Sequence, residues 1–149
     1  MTPDILASEL LRRLTDGGGA AATFDLFTGH VELCLGSSAP QTLRRDDPEF
    51  GGFLRRLQET LASRRVTVAE IGILAAETTA YVEFVAARMT SVGMLLLDAE
   101  NGSRINRIRS WSDPGDFEVA ARRGRRQHPG GTARNRPATQ PGSSMSRAT

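Results

Sequence analysis

Residues 91–114 read SVGMLLLDAENGSRINRIRSWSDP, and this stretch decides the fold that we predict. An apolar segment over residues 92–98 is followed by Asn101-Gly102 and by a second strand-like segment over residues 104–112. Asn-Gly is typical of tight hairpin turns, because both residues tolerate the positive φ angles that these turns require. The stretch therefore predicts a pair of antiparallel strands near the end of a folded domain.

Further strand-like segments precede this hairpin. They cover residues 66–75 and 80–88, and short links join them to each other and to the hairpin. Short links between successive strands imply an antiparallel meander. One more strand is predicted earlier, over residues 31–35. With the helices described next, this order predicts an α+β domain in which helices pack on one side of a curved sheet.

Three helices are predicted in the first 65 residues. Thr2 and Pro3 form an N-cap and first-turn pair ahead of an apolar stripe over residues 5–14. A short second helix is predicted over residues 20–27. Asp47-Pro48 repeats the cap-and-proline signal at the start of the third helix. Its apolar residues recur at helical spacing: Phe50, Phe53, Leu54, Leu57 and Leu61.

Composition limits the compartment and the cofactors. Charged residues interrupt the N-terminal segment, and no run reaches the roughly 18 apolar residues of a membrane helix, so we expect a cytoplasmic protein without membrane contact. The single cysteine, Cys34, lies in an apolar run and is expected to be a small buried side chain. The two histidines, His30 and His128, are far apart in the sequence. We therefore expect neither a metal site nor a cofactor.

The C-terminal residues differ in composition from the rest. Residues 120–149 hold seven of the 19 Arg and no acidic residue, which leaves 12 Arg against 17 acidic residues in the first 119. This segment is rich in Gly, Pro and Ser and poor in large apolar residues, which predicts disorder. We thus divide the chain into a domain over residues 1–119 and a disordered basic tail over residues 120–149.

Two segments carry a resemblance to a known superfamily. Residues 26–33, LFTGHVEL, form a strand entry, and residues 101–113, NGSRINRIRSWSD, form a closing strand. Their order and spacing resemble the nuclear transport factor 2-like (NTF2-like) superfamily, which includes SnoaL-like cyclases, ketosteroid isomerase and limonene epoxide hydrolase. The resemblance implies a cone, in which a curved antiparallel or mixed sheet and about three N-terminal helices enclose a pocket for hydrophobic ligands. It also implies a homodimer.

The same resemblance allows the catalytic positions to be checked. The charged groups of limonene epoxide hydrolase match Phe84, Ala86 and Ser110 here. The carboxylate base and the oxyanion-binding acid of ketosteroid isomerase match Leu35 and Gly93. General acid/base chemistry needs ionisable groups at such positions, so neither reaction is expected. A register shift of one residue would reverse strand facing and turn other residues inward: Glu32, Cys34, Glu83 and Arg109.

Two residues are candidates for acid/base catalysis. Asp113 ends the last strand beside Trp111, and His30 stands at the strand entry. A carboxylate shielded by an indole can act as a proton shuttle, whereas an Asp before Pro114 is also typical of a turn. The alternative for His30 is a solvent-facing turn residue.

The remaining site residues are expected to face a mostly apolar pocket. Arg88, at the end of its strand, could meet a ligand anion at the rim or extend into solvent. The predicted ligand-binding set consists of Leu33, Leu35, Phe84, Arg88, Leu95, Leu97, Ile108, Ser110 and Ser112. This composition suits an apolar small molecule or a filled core.

Three functions are compatible with these residues. The favoured one is non-catalytic binding of a hydrophobic small molecule, or a dimeric accessory module. The alternative is a SnoaL-like isomerase or cyclase that acts on a polyketide-type or other apolar carbonyl substrate through Asp113 with His30, or with Glu32 under a shifted register. The third is binding of nucleic acid or an acidic partner by the basic tail. The tail has no aromatic residue on which bases could stack, which argues against nucleic acid.

Overall fold

The computed structural model describes residues 2–74, 78–100 and 103–127. Its regular helices are α1 (Pro3–Thr15), α2 (Pro48–Ala62) and α3 (Pro114–Gln127), and 3₁₀ segments cover Ala20–Leu26 and Ala87–Met89. The strands are β1 (Phe27–Leu35), β2 (Gln41–Arg44), β3 (Thr67–Ile73), β4 (Thr79–Val85), β5 (Ser91–Glu100) and β6 (Arg104–Ser110).

The six strands form one mixed sheet in the order β2-β1-β6-β5-β4-β3. Strands β3 to β6 make the predicted antiparallel meander, and Asp98 pairs with Arg107 across the β5–β6 hairpin. Its turn residues, Asn101 and Gly102, lie outside the described residues. Strand β1 pairs with β6 in parallel and with β2 in antiparallel orientation. The predicted α+β class with a mixed sheet is confirmed.

Burial alternates along the strands and fixes their facing. Leu33 and Phe84 are 5% and 0% exposed, whereas the adjacent Glu32 and Glu83 are half-buried on the opposite face. The structure therefore has the expected register and not the register shifted by one residue. Cys34 is half-buried beside the core and is not the fully buried residue that we expected, because it shares the outer face with Glu32.

Helix starts follow the predicted signals. Asp47 caps α2, because its carboxylate accepts a hydrogen bond from the backbone N–H of Glu49 at 2.8 Å. Thr2 occupies the N-cap position of α1, but its hydroxyl donates to the Asp4 carboxylate and makes no bond to the helix backbone. No helix in the described part of the chain is long and apolar enough to cross a membrane.

Two differences concern the first strands. Phe27 begins β1 and does not end a helix, because its buried ring meets that of Phe50 edge-on at 5.0 Å between centroids. This position on the core side of the sheet overrides the local helical pattern. Strand β2 was not predicted. It is a short edge strand, held by its pairing with β1, in which Leu43 lies opposite Val31.

The predicted boundary at residue 120 is wrong, because helix α3 continues to Gln127. Phe117 and Ala121 lie one helical turn apart and are both buried, so they form a short apolar stripe against the core. The Arg-rich composition of the segment hides this stripe. The rest of the predicted tail, residues 128–149, lies outside the described residues.

Candidate functional site

The inner face of the sheet, which the helices cover, contains most of the predicted ligand-binding residues. Five of these side chains leave at most 5% of their surface exposed: Leu33, Phe84, Leu95, Leu97 and Ile108. Leu35, Ser110 and Ser112 are half-buried toward the end at which β1 and β6 finish. The buried members pack within the main hydrophobic core. The half-buried members therefore mark the accessible end of this face.

Helix α3 contributes a ring that sequence analysis did not assign to the interior. Phe117 is fully buried, and its ring centroid lies 5.1 Å from that of Phe84. A Cβ atom on Gly93 would lie only 2.2 Å from this ring, so the ring rests on bare backbone. Gly93 is also the strand partner of Phe84. The Phe117 ring therefore occupies the space above the position that the resemblance matches to the oxyanion-binding acid.

Asp113 lies at the accessible end of the inner face and begins α3. One carboxylate oxygen accepts the backbone N–H of Gly115 at 3.0 Å, which is the predicted turn geometry. The Arg56 side chain on α2 donates to both carboxylate oxygens at 2.8 Å. Both oxygens of Asp113 thus have partners that hold α3 against α2.

The structure does not bring His30 to Asp113. Strands β1 and β6 run parallel, with Leu35 opposite Ser110. Asp113 follows the end of β6, whereas His30 lies five residues before Leu35 on an exposed part of β1. Five strand residues span about 16 Å. The two candidate catalytic residues therefore lie toward opposite ends of the parallel pair.

Arg88 is not on a strand, contrary to the prediction. It lies in the Ala87–Met89 segment that joins β4 to β5, with φ of 65°, and it is exposed. The turn is closed by a hydrogen bond from the backbone N–H of Ala86 to the carbonyl of Thr90 at 2.8 Å. The alternation pattern missed this turn because Ala86 and Ala87 continue the apolar run of the strand before it.

A charged cluster lies on the outer face of the sheet, opposite the helices. Asp98, with only 8% exposure, accepts hydrogen bonds from Thr79 and Arg107, and from Arg109 at 3.0 Å. Glu32 lies 3.9 Å from Arg107. These residues form a cross-strand row over β4, β5, β6 and β1. The sequence signal was the presence of charged residues, Asp98, Arg107 and Arg109, within strand-like segments, but the alignment of the strands was needed to join them.

The cluster perturbs two ionisable groups. Burial alone would raise the pKa of Asp98, but the hydrogen bonds from Thr79 and Arg107 and the charge of Arg109 outweigh it and lower that pKa. Burial, with a smaller effect of the Glu32 charge, raises the pKa of the Cys34 thiol. Asp98 is therefore held as a carboxylate, and Cys34 as a thiol.

One polar cleft of about 410 Å³ lies where β1 and β6 begin, lined by Thr28, Gly29, Ser103 and Arg104. None of these residues belongs to the predicted site. Among the described residues, no group of three or more His, Cys, Asp or Glu side chains is arranged to hold a metal ion.

Solved structures of known proteins share this architecture. A steroid Δ-isomerase from Pseudomonas aeruginosa matches with a TM-score of 0.54 and 11% identity, over 85% of this chain and 93% of its own. A de novo designed protein with the NTF2 fold matches with a TM-score of 0.52 and 24% identity, over 82% and 95%. The chain has the NTF2-like fold. A protein described as a polyketide cyclase, from Pseudomonas putida KT2440, also matches with a TM-score of 0.52 and 16% identity, over 80% and 97%.

No protein-family model and no curated protein matches the sequence. At these identities, the structural likeness establishes the NTF2-like fold and leaves activity to be argued from the residues. On the inner face, the positions that the resemblance matches to catalytic groups hold Leu35, Phe84, Gly93 and Ser110.

Proposed function

We propose that this NTF2-like chain binds an apolar small molecule, or serves as a dimeric accessory module, without catalysing a reaction. The observation that carries the proposal is the apolar inner face of the sheet, where Leu33, Phe84, Leu95 and Ile108 are buried in the core and the half-buried Leu35 and Ser110 lie at its accessible end. Apolar walls with a few hydroxyl groups, here Ser110 and Ser112, are typical of sites for hydrophobic ligands.

The ionisable groups nearest to this face support a binding role. Asp113 is paired with Arg56 and caps α3, and Asp98 lies on the outer face of the sheet. A general base must reach the proton that it removes, in the correct protonation state. Asp113 instead has a structural role that accounts for both of its oxygens.

Titration with a neutral apolar dye, Nile red, tests the binding proposal. We expect saturable binding at one site per chain, and little change between low and high salt because no charge is involved. Ser110→Phe, which fills the accessible end of the inner face, should weaken binding at least fivefold. Ser37→Phe, in an exposed loop, is the matched control. Absence of saturable dye binding, together with no retained mass in native mass spectrometry, would contradict the proposal.

The alternative is an isomerase or cyclase, and the names of the structurally similar proteins favour it. It would use Asp113 as a base toward an apolar carbonyl substrate. Turnover of a β,γ-unsaturated ketosteroid tests it, with Asp113→Asn as the decisive variant and Asp116→Asn, in the same helical turn, as the control. Turnover that Asp113→Asn abolishes would favour the enzyme, whereas equal rates in both variants would exclude Asp113 as the base.

We also propose a homodimer through the outer face of the sheet. No described helix covers this face, and it carries the half-buried Leu96 and Met94, with Trp111, 76% exposed, directly after the end of β6. It also carries both signs of charge, at Arg109 and Glu83. A two-fold interface pairs a surface with its own copy, so a face with both charges and apolar residues is self-complementary.

Sedimentation velocity tests the dimer. Leu96→Asp would place a carboxylate in the apolar part of the interface, and we expect it to raise the dissociation constant more than tenfold. Ile5→Asp, at an exposed position on α1, is the control. A wild-type monomer at micromolar concentration, or an unchanged dimer in Leu96→Asp, would contradict this interface.

A further inference from the structure

Over its described side chains, residues 114–123, helix α3 is less buried than the other two long helices. The buried residues in this part are Pro114, Phe117 and Ala121, whereas α1 and α2 each bury six residues. Beyond Ala121, the next side chains, Arg122 and Arg123, are exposed. Segments with few buried apolar contacts open at lower free energy than the core of a domain. Among the long helices, α3 is thus the one expected to move most easily.

The polar contacts of α3 with α2 lie mostly near the surface. The Arg56–Asp113 pair leaves 40% and 27% of the two side chains exposed. Arg65, which follows α2, and Glu118 approach to 3.3 Å, also with partial exposure. Partly solvated ion pairs contribute little stability. A buried contact between the helices is made by the Thr60 hydroxyl, which donates to the Pro114 carbonyl at 2.9 Å.

The Phe117 ring occupies a slot that the sheet leaves open. The ring lies over bare backbone at Gly93, where even a methyl group would overlap it. It also contacts the Phe84 ring, tilted by 40°, and Phe84 is the cross-strand neighbour of Gly93. A space over a glycine and beside an aromatic ring suits a planar apolar ring of phenyl size, because such contacts depend on shape and not on hydrogen bonds.

We propose that Phe117 is an exchangeable occupant of the ligand site. A planar apolar ring of the ligand takes its place over Gly93 and beside Phe84, and helix α3 shifts away from α2 to release the Phe117 ring. The ligand class is therefore a neutral molecule that carries at least one planar ring. This inference rests on the proposed function, since it describes how the apolar site becomes accessible. Binding of the ligand and packing of α3 against α2 then compete, because the ligand ring and the Phe117 ring need the same space.

Naphthalene binding to the full chain tests this exchange. Arg56→Ala removes the surface pair that holds α3 and leaves the slot unchanged, so we expect it to lower the dissociation constant for naphthalene about twofold to fivefold. Arg55→Ala, the exposed neighbour on the same helix, is the control and should bind like the wild type. In hydrogen exchange, naphthalene should accelerate exchange of the α3 amides while those of α1 stay protected.

Phe117→Ala, which empties the slot, gives a second test, and we expect it to bind naphthalene at least tenfold more tightly than the wild type. Phe117→Leu serves if that variant does not fold. The exchange would be overturned if Phe117→Ala binds naphthalene tightly while Arg56→Ala binds it like the wild type and the exchange rates of the α3 amides do not change. In that case the substitution has only created a cavity.

The two proposals fail in different ways. Saturable Nile red binding to the wild type, with no effect of naphthalene or Arg56→Ala on α3, would overturn the exchange and leave the binding function intact. No Nile red binding to the wild type, with naphthalene binding in Arg56→Ala and faster α3 exchange, would support the exchange and limit the binding function to ligands of about naphthalene size. No binding of either probe to any variant would overturn both.

Discussion

At Gly93 the sheet and the Phe117 ring are in direct contact, so this residue tests the packing of the interior. Gly93→Ala would place a methyl group 2.2 Å from the ring and force it to move. Overpacking of this kind costs about 1–3 kcal/mol. Gly29→Ala, where a Cβ meets nothing within 4 Å, is the control and should cost less than about 0.5 kcal/mol. Urea denaturation measures the free energy of unfolding of both variants. Equal denaturation midpoints for Gly93→Ala and Gly29→Ala would contradict the observed contact.

Asp98 makes a prediction about pH at the same scale. Its pKa is lowered in the folded protein, so its stabilising contribution is present above the unfolded pKa of about 3.9 and is lost as pH falls through the lower folded pKa. Asp98→Asn should therefore destabilise the protein by about 1–2 kcal/mol at pH 7, since its arginine partners are partly exposed.

The difference between the wild type and Asp98→Asn should stay constant from pH 7 to about pH 5 and shrink below about pH 4. Thermal denaturation across this range measures it. Asp46→Asn, which removes an exposed pair with Arg44, is the control with little effect at any pH. A difference that grows toward acid would contradict the assigned direction of the pKa shift.

At the scale of elements, two helices begin with the same Asp-Pro signal, and the sequence predicted only one of them. Asp47 caps α2 with one backbone bond, whereas Asp113 caps α3 and also pairs with Arg56. The signal at Asp113-Pro114 was interpreted as the end of a strand, because the apolar residues after it are few. The sequence therefore contains the Asp-Pro signal at both positions, but it does not indicate that Phe117 is buried.

The two N-caps are expected to contribute different amounts to the free energy of unfolding. Asp47→Ala should cost about 1 kcal/mol, the usual value of an N-cap. Asp113→Ala should cost more, about 1–2 kcal/mol, because the Arg56 pair is lost with the cap. Chemical denaturation of both variants at pH 7 measures the difference. A smaller loss in Asp113→Ala than in Asp47→Ala would show that the contact with Arg56 contributes nothing.

At the scale of the whole molecule, the domain extends through α3, and this boundary can be tested by truncation. Removing residues 128–149 should leave the melting temperature within about 1 °C of the full chain. Removing residues 114–149 takes away the buried Phe117 and Ala121 and should lower it markedly. Equal melting temperatures for the two truncations would contradict the role of α3. The shorter truncation also tests the tail hypothesis, since salt-dependent binding of nucleic acid or an acidic partner should disappear with it.

Features that depend on neighbours in the chain could be predicted from the sequence. The cap at Asp47, the turn at Asp113, the apolar run of β5 and the helical spacing of α2 each reflect contacts within a few residues. From them followed the strand meander, the correct inward face and, by resemblance, the NTF2-like fold.

Contacts between residues distant in the chain could not be predicted in this way. These are the parallel pairing of β1 with β6, the Asp98 cluster over four strands, and the seat of Phe117 on Gly93. The physical reason is that register and packing depend on which strands and helices become neighbours in space. Local propensity does not encode that choice, whereas the shared burial of apolar side chains in one core enforces it.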